Sequence, residues 1–104
     1  MTWAEIEKQL NEIVLAMWDW RKDDSIKLAR KLRRKLEDHK WGDDDYIREL
    51  SYVSLCLTIV LDEIKEMNWE LAYTVLVLAH RFAWMKRMQE ERQRSLERES
   101  VRES

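Results

Sequence analysis

The chain has 104 residues, with 19 Lys and Arg against 21 Asp and Glu, a formal net charge of −2 and 45% hydrophobic residues. That length fits one domain whose core can fold without staples, and a single cysteine, Cys56, excludes an internal disulfide. One glycine and no proline exclude a glycine-rich phosphate loop and leave little material for sheet turns, so the composition predicts helices joined by short links.

The opening "MTWAEIEKQL" carries acids and no apolar core segment, so no signal peptide is expected. The longest charge-free run, Leu50 to Leu61, is twelve residues. A bilayer span needs about 20, so no membrane span is expected either. Cys56 reads as a small buried hydrophobe, which fits a reducing compartment. The expected location is therefore cytoplasmic. Charge is unevenly spread: residues 1–20 sum to −3, 21–40 to +5, 41–70 to −6 and 71–104 to +2.

Helix 1 is predicted over 3–22. Thr2 caps it, and Glu5 three residues on completes a capping box. Trp3, Ile6, Leu10, Ile13, Met17 and Trp20 recur at steps of 3, 4, 3, 4, 3, which is a bundle seam. Leu15 and Trp18 fall at the edge of that seam, with Asn11. Helix 2 is predicted over 25–41, capped by Asp24 or Ser25. Leu28, Ala29, Leu32, Leu36 and His39 make its apolar stripe. Gly42 is placed to end it in a left-handed C-cap after Trp41.

Helix 3 is predicted over 44–67, with "DDD" at 43–45 on the positive end of its dipole. Tyr46, Leu50, Val53, Leu57, Val60, Leu61 and Ile64 form one face. Tyr52, Leu55, Cys56 and Ile59 form a second apolar patch on the other side. Asn68 marks the next break, as a left-handed C-cap or an N-cap. Without a break there, helices 3 and 4 would be one rod and would impose an intertwined dimer. Helix 4 is predicted over 69–94. It carries one stripe of Leu71, Val75, Leu78, Phe82 and Met85, and another of Trp69, Tyr73, Val77, His80 and Trp84. The predicted architecture is an all-α four-helix bundle or compact helical array, up-down-up-down with short links. Residues 1–90 form the single domain, and 91–104 a polar, partly frayed helical tail.

No catalytic, cofactor-binding or metal-binding set can be assembled from these residues. Bundles that hold two iron ions carry Glu-x-x-His inward on paired helices. Here Leu36 and Val77 stand where that glutamate would precede His39 and His80. Cys56 lies between Leu55 and Leu57, with no base beside it. The expectation is therefore a non-enzyme.

Two surfaces stand out. Residues 27–35, "KLARKLRRK", hold six cations and no acid. Lys27, Arg30, Lys31 and Arg34 share a stripe suited either to a solvated face, to an acidic protein patch or to nucleic-acid phosphates. The second surface is aromatic. A bundle helix needs one apolar arc of somewhat over 100°, yet helix 4 and the middle of helix 3 have two. Either both helices are covered on two sides, or the second arcs meet another protein. Trp and Tyr are enriched at interface hot spots. The expected interface residues are Trp69, Tyr73, Val77, His80, Trp84, Trp18, Leu15, Tyr52 and Ile59. The favoured reading is a small interaction module, such as a regulator, inhibitor or assembly subunit. Its partner would be its own copy, as a homodimer, or a larger macromolecule. The alternative is an accessory subunit that contacts the nucleic-acid backbone through helix 2.

Overall fold

The computed structural model describes residues 1–39 and 44–103, with side chains described except at 44 and 101–103. The cap expected at Gly42, the stop at Trp41 and the carboxylates of Asp43 and Asp44 lie outside what is described. The described residues form four helices: α1 (Trp3–Trp18), α2 (Lys22–Asp38), α3 (Asp44–Lys65) and α4 (Trp69–Glu103). Each packs on its two neighbours in a ring, α1 and α3 both touching α2 and α4. Diagonal helices meet only through long side chains, as where Trp3 sits edge-on to Tyr46. This is the up-down-up-down bundle that short links impose.

The capping box at Thr2 and Glu5 is formed in both directions. Trp3, Ile6, Leu10, Ile13 and Met17 are buried, as their spacing predicts, and Ala16 joins them. α2 contributes Ala29, Leu32 and Leu36, while α3 contributes Leu50, Val53, Cys56, Leu57, Val60 and Ile64. On α4 the inward residues are Ala72, Leu76, Ala79 and Ala83. Neither of the two stripes expected on that helix is its core face. The small residues lie between them and admit the helix axis close to the core. The large side chains then flank the seam, half-buried or exposed.

The links explain the other departures. α1 stops at Trp18, before the predicted Lys22. The Trp20 amide donates to the Met17 carbonyl and the Arg21 amide to the Ala16 carbonyl. Those two bonds define a Schellman motif, whose left-handed position normally holds glycine. Trp20 holds it here, at φ 60. Trp20 is thereby turned out of the seam it was expected to close, and is 74% exposed. Arg21 then begins α2, without a side-chain cap, in place of the expected Asp24 or Ser25. Ser25 is buried inside the first turn, its hydroxyl donating to the Arg21 carbonyl. Asp23 and Asp24 lie in that turn, at the favourable end of the dipole. α2 ends at Asp38, and His39 is its C-cap rather than part of the stripe.

The link between α3 and α4 repeats the device. The Met67 amide donates to Ile64 and the Asn68 amide to Glu63. Met67, at φ 63, takes the left-handed position. Asn68 is the N-cap of α4, its carbonyl accepting from Ala72 and its side-chain amide donating to Glu63. Helices 3 and 4 are therefore separate. α4 then runs past Arg94 to Glu103, held by i,i+4 pairs such as Arg87–Glu91 and Arg94–Glu90. Its 35 residues span about 52 Å at 1.5 Å per residue, so its last turns project beyond the other three helices.

Three predictions follow from the links and the core. Met67 is 82% exposed, so its side chain offers little to offset its left-handed backbone. Met67→Gly should raise stability by about 0.5–1 kcal/mol in urea denaturation; a fall in the midpoint would contradict the strain. Burial pushes the Cys56 thiol up from its ordinary 9.0, and a hydrogen bond with Tyr52 pulls it partly back. Tyr46 is also raised, first by burial and then by the carboxylates of Glu90, Glu5 and Glu49. Both groups hold their protons longer folded than unfolded. Their contribution is complete below the ordinary thiol value and is lost as pH climbs through the folded values. The melting temperature should therefore hold steady up to about pH 9 and decline above it. Iodoacetamide should label Cys56 at pH 8 at least about tenfold faster once the chain is unfolded.

Candidate functional site

The end of the bundle that carries both Schellman links also carries an aromatic cleft. α1 delivers Met17 and Trp18, the link delivers Trp20, and the first turns of α4 deliver Trp69, Glu70, Tyr73 and Thr74. Together they enclose about 640 Å³. Trp20 stacks on Trp69 with ring centroids 5.4 Å apart and planes 19° from parallel. Trp18 leans on Tyr73 at 6.3 Å and 43°. Trp18 is 69% exposed, so most of its ring faces solvent.

The arrangement has a local cause. Trp18 and Trp20 are two positions apart, which on a continuous helix would point them to nearly opposite sides. The left-handed turn at Trp20 breaks that geometry and sends its ring across to α4. A helix that stopped with glycine would leave the same backbone path and no ring. The cost of a left-handed tryptophan is about 1–2 kcal/mol, and stacking on Trp69 offsets part of it.

The expected interface residues divide between two flanks of α4. Trp18, Trp69 and Tyr73 line the cleft. Leu15, Val77 and Trp84 are exposed; helix geometry continues them from the cleft along the outer α1/α4 flank, with half-buried His80 between. The Arg81 guanidinium lies over the Trp84 ring at 5.6 Å, and Arg87 pairs with Glu7 of α1 at the far end. Tyr52 and Ile59 are on the other flank, beside α3, where Tyr52 meets Phe82. Trp20, Met17, Glu70 and Thr74 belong to the cleft and were not anticipated. A tryptophan just past a helix end, with no glycine to serve as cap, was the available signal.

The lining of the cleft is predominantly apolar and aromatic. Its one carboxylate, Glu70, and its two hydroxyls, on Thr74 and Tyr73, stand in a lining otherwise made by Met17 and three tryptophans. The Thr74 hydroxyl donates to the Glu70 backbone carbonyl. Among the described residues no three of His, Cys, Asp and Glu gather as a metal site would require. No helix is long and apolar enough to cross a membrane among the residues described.

The basic stripe keeps its expected form. Lys27, Arg30, Lys31 and Arg34 are all exposed on the outer side of α2. Arg33 turns instead toward α3, donating to the Thr58 hydroxyl at 3.4 Å. Seven ion pairs link described residues, and none uses the four stripe cations.

Compared with known proteins, the chain matches no family model, no curated protein and no solved structure.

Proposed function

We propose that this chain is a non-enzymatic interaction module that binds a protein partner through the aromatic α1/α4 flank. The observation that carries this reading is the exposed ring cluster of Trp18, Trp20, Trp69 and Tyr73, held in place by a strained backbone turn. Backbone strain of this kind persists where the surrounding structure over-determines it, and it recurs at functional sites. Indole rings supply large contact area at low entropic cost, and they dominate the energetics of interfaces. The cleft accepts an apolar or aromatic anchor, with Glu70 and the Arg81–Trp84 pair as its polar margin. The module would serve as a regulator, inhibitor or assembly subunit whose action is occupancy of a surface.

The test is site-specific photocrosslinking in the cells that produce the chain. A benzophenone side chain replacing Trp18 or Trp84 should capture one discrete protein, and one replacing Lys27 should not. Trp18→Glu should keep the helicity and melting temperature of the wild type. It should weaken the captured complex by roughly 30-fold, the cost of removing a hot-spot tryptophan. Equal labelling at all three positions, or loss of helicity in Trp18→Glu, would overturn the reading.

A second reading is favoured by one observation, the four exposed cations of α2, which form no ion pair among the described residues. Lys27, Arg30, Lys31 and Arg34 would lie along a phosphate backbone without reading base sequence. Four phosphate contacts predict that affinity for a 20-base-pair duplex falls on the order of 100-fold between 50 and 200 mM salt. Fluorescence anisotropy measures this directly. Binding that is absent, insensitive to salt or retained in Arg30→Glu/Arg34→Glu eliminates it.

A further inference from the structure

We infer that a second copy of this chain covers the outer face of α3 and α4, forming a two-fold dimer in which each helix runs antiparallel to its own copy. This face lies on the opposite flank of α4 from the aromatic cleft, so the two readings stand or fall separately.

The face begins with the alanine seam. Because Ala72, Ala79 and Ala83 point inward, Leu71, Leu78 and Met85 point outward at seven-residue intervals, in one line along the helix. α3 adds Tyr52 and Ile59, and Leu55 extends the exposed surface to the groove that α3 shares with α2. The charged groups along the α3/α4 boundary, Lys86 of α4 with Glu49 and Glu63 of α3, are engaged within the chain. Lys86 is bound to Glu49 and lies over the Phe82 ring, and Glu63 holds the Asn68 side chain.

Area fits a dimer. At roughly 200 Å² for a whole large side chain, exposures from 37% at Ile59 to 59% at Leu55 leave on the order of 600 Å² of apolar surface on one copy. That is the upper end of what a monomer exposes in one patch. Two such faces remove about 1,200 Å² from water, the threshold of a stable interface, before any polar rim is counted.

The rim identifies the occupant. Along the outside of α3 the apolar patch is bounded by Arg48 at one end and by Asp62 and Glu66 at the other, all exposed. Arg48 and Asp62 are equidistant from Leu55, and Arg48 and Glu66 from Leu57. An antiparallel α3 pair centred on that turn therefore sets Arg48 of one copy opposite Asp62 and Glu66 of its partner, twice. The Glu49–Lys86 and Tyr52–Phe82 contacts set the register between the helices. They place Leu78 level with the Leu55–Ile59 turn. The same axis then brings Leu78 against Leu78 and Leu71 against Met85. Two helices that share one centre, with charges complementary about it, are what an isologous interface requires. A foreign partner imposes no such symmetry. Arg48 meets Asp45 at 4.0 Å, with both side chains at least 80% exposed, so its guanidinium is accessible to a second copy.

Light scattering of the purified full chain should give twice the 12.8 kDa chain mass. Leu78→Lys places two like charges together at the axis and should yield a monomer with unchanged helicity. Arg48→Glu should weaken the dimer about tenfold, and adding Asp62→Arg with Glu66→Arg should restore it. That rescue separates contact across the interface from damage to the fold. Leu78→Cys in a Cys56→Ser background should form a disulfide between copies on mild oxidation, since that bond needs Cα atoms within about 7 Å. Trp18→Glu should leave the dimer intact. A monomeric wild type, a dimer that survives Leu78→Lys, or one that dissociates in Trp18→Glu would each overturn the inference.

Discussion

Alanine on the inner side of α4 decides where every large side chain of that helix goes. Ala72, Ala79 and Ala83 are fully buried and share the seam with Leu76 alone. A helix that presents methyl groups to the core can approach its neighbours closely, and the flanking residues then wedge between axes. Trp69 and Tyr73 turn toward α1, and Val75 and Phe82 toward α3. Beyond them Val77, Leu78, Trp84 and Met85 have nowhere left to pack and remain exposed. Both apolar flanks follow from this one choice, because leucines in the seam would have been the core and left the flanks free to be polar.

The links impose the second constraint. A chain with one glycine still closes two helices with Schellman motifs, and in both the left-handed position carries a large side chain. At Met67 that side chain projects into solvent. At Trp20 it stacks on Trp69, so the residue that ends α1 also builds the cleft. The same turn makes Arg21 serve both helices, ending one and starting the next, with its side chain pairing to Asp19 and Asp24. Tightness of the link and position of the ring are one structural fact.

Most of the fold was legible because periodicity reports burial directly. The α1 seam from Trp3 to Met17, Ala29, Leu32 and Leu36 of α2, and Leu50, Val53, Leu57, Val60 and Ile64 of α3 each lie where their spacing puts them. What the pattern misplaced has physical reasons. Trp20 continues the seam in sequence, but a helix end is set by backbone hydrogen bonds that hydrophobic spacing does not encode. The α4 core face was hidden because alanine is a weak hydrophobic signal beside Trp, Phe and Leu, so the eye follows the flanks. Of the cleft, Trp18, Trp69 and Tyr73 were visible as an excess of aromatic surface. Trp20, Met17, Glu70 and Thr74 were not, since they converge only after the chain has turned.

That excess is the question the whole sequence raises, and geometry answers it. In a four-helix ring each helix has two neighbours and therefore one inward arc. α4 carries apolar residues around nearly its full circumference from Trp69 to Met88, interrupted chiefly by Glu70, Thr74 and Arg81 on the outside. In this ring α2 stands diagonally across from α4, so only α1 and α3 lie beside α4 to cover it. α2 shows the opposite composition, one narrow buried arc and a wide cationic face. The bundle is thus chemically polarised, with cations outside α2 and uncovered apolar surface outside α4. Such polarity costs solubility unless something covers the apolar side, and the two flanks of α4 differ enough in kind to call for different covers. The α3 side is aliphatic, long and symmetric about its centre. The α1 side is aromatic, concave and concentrated at one end, a shape that suits an inserted anchor better than a copy of itself.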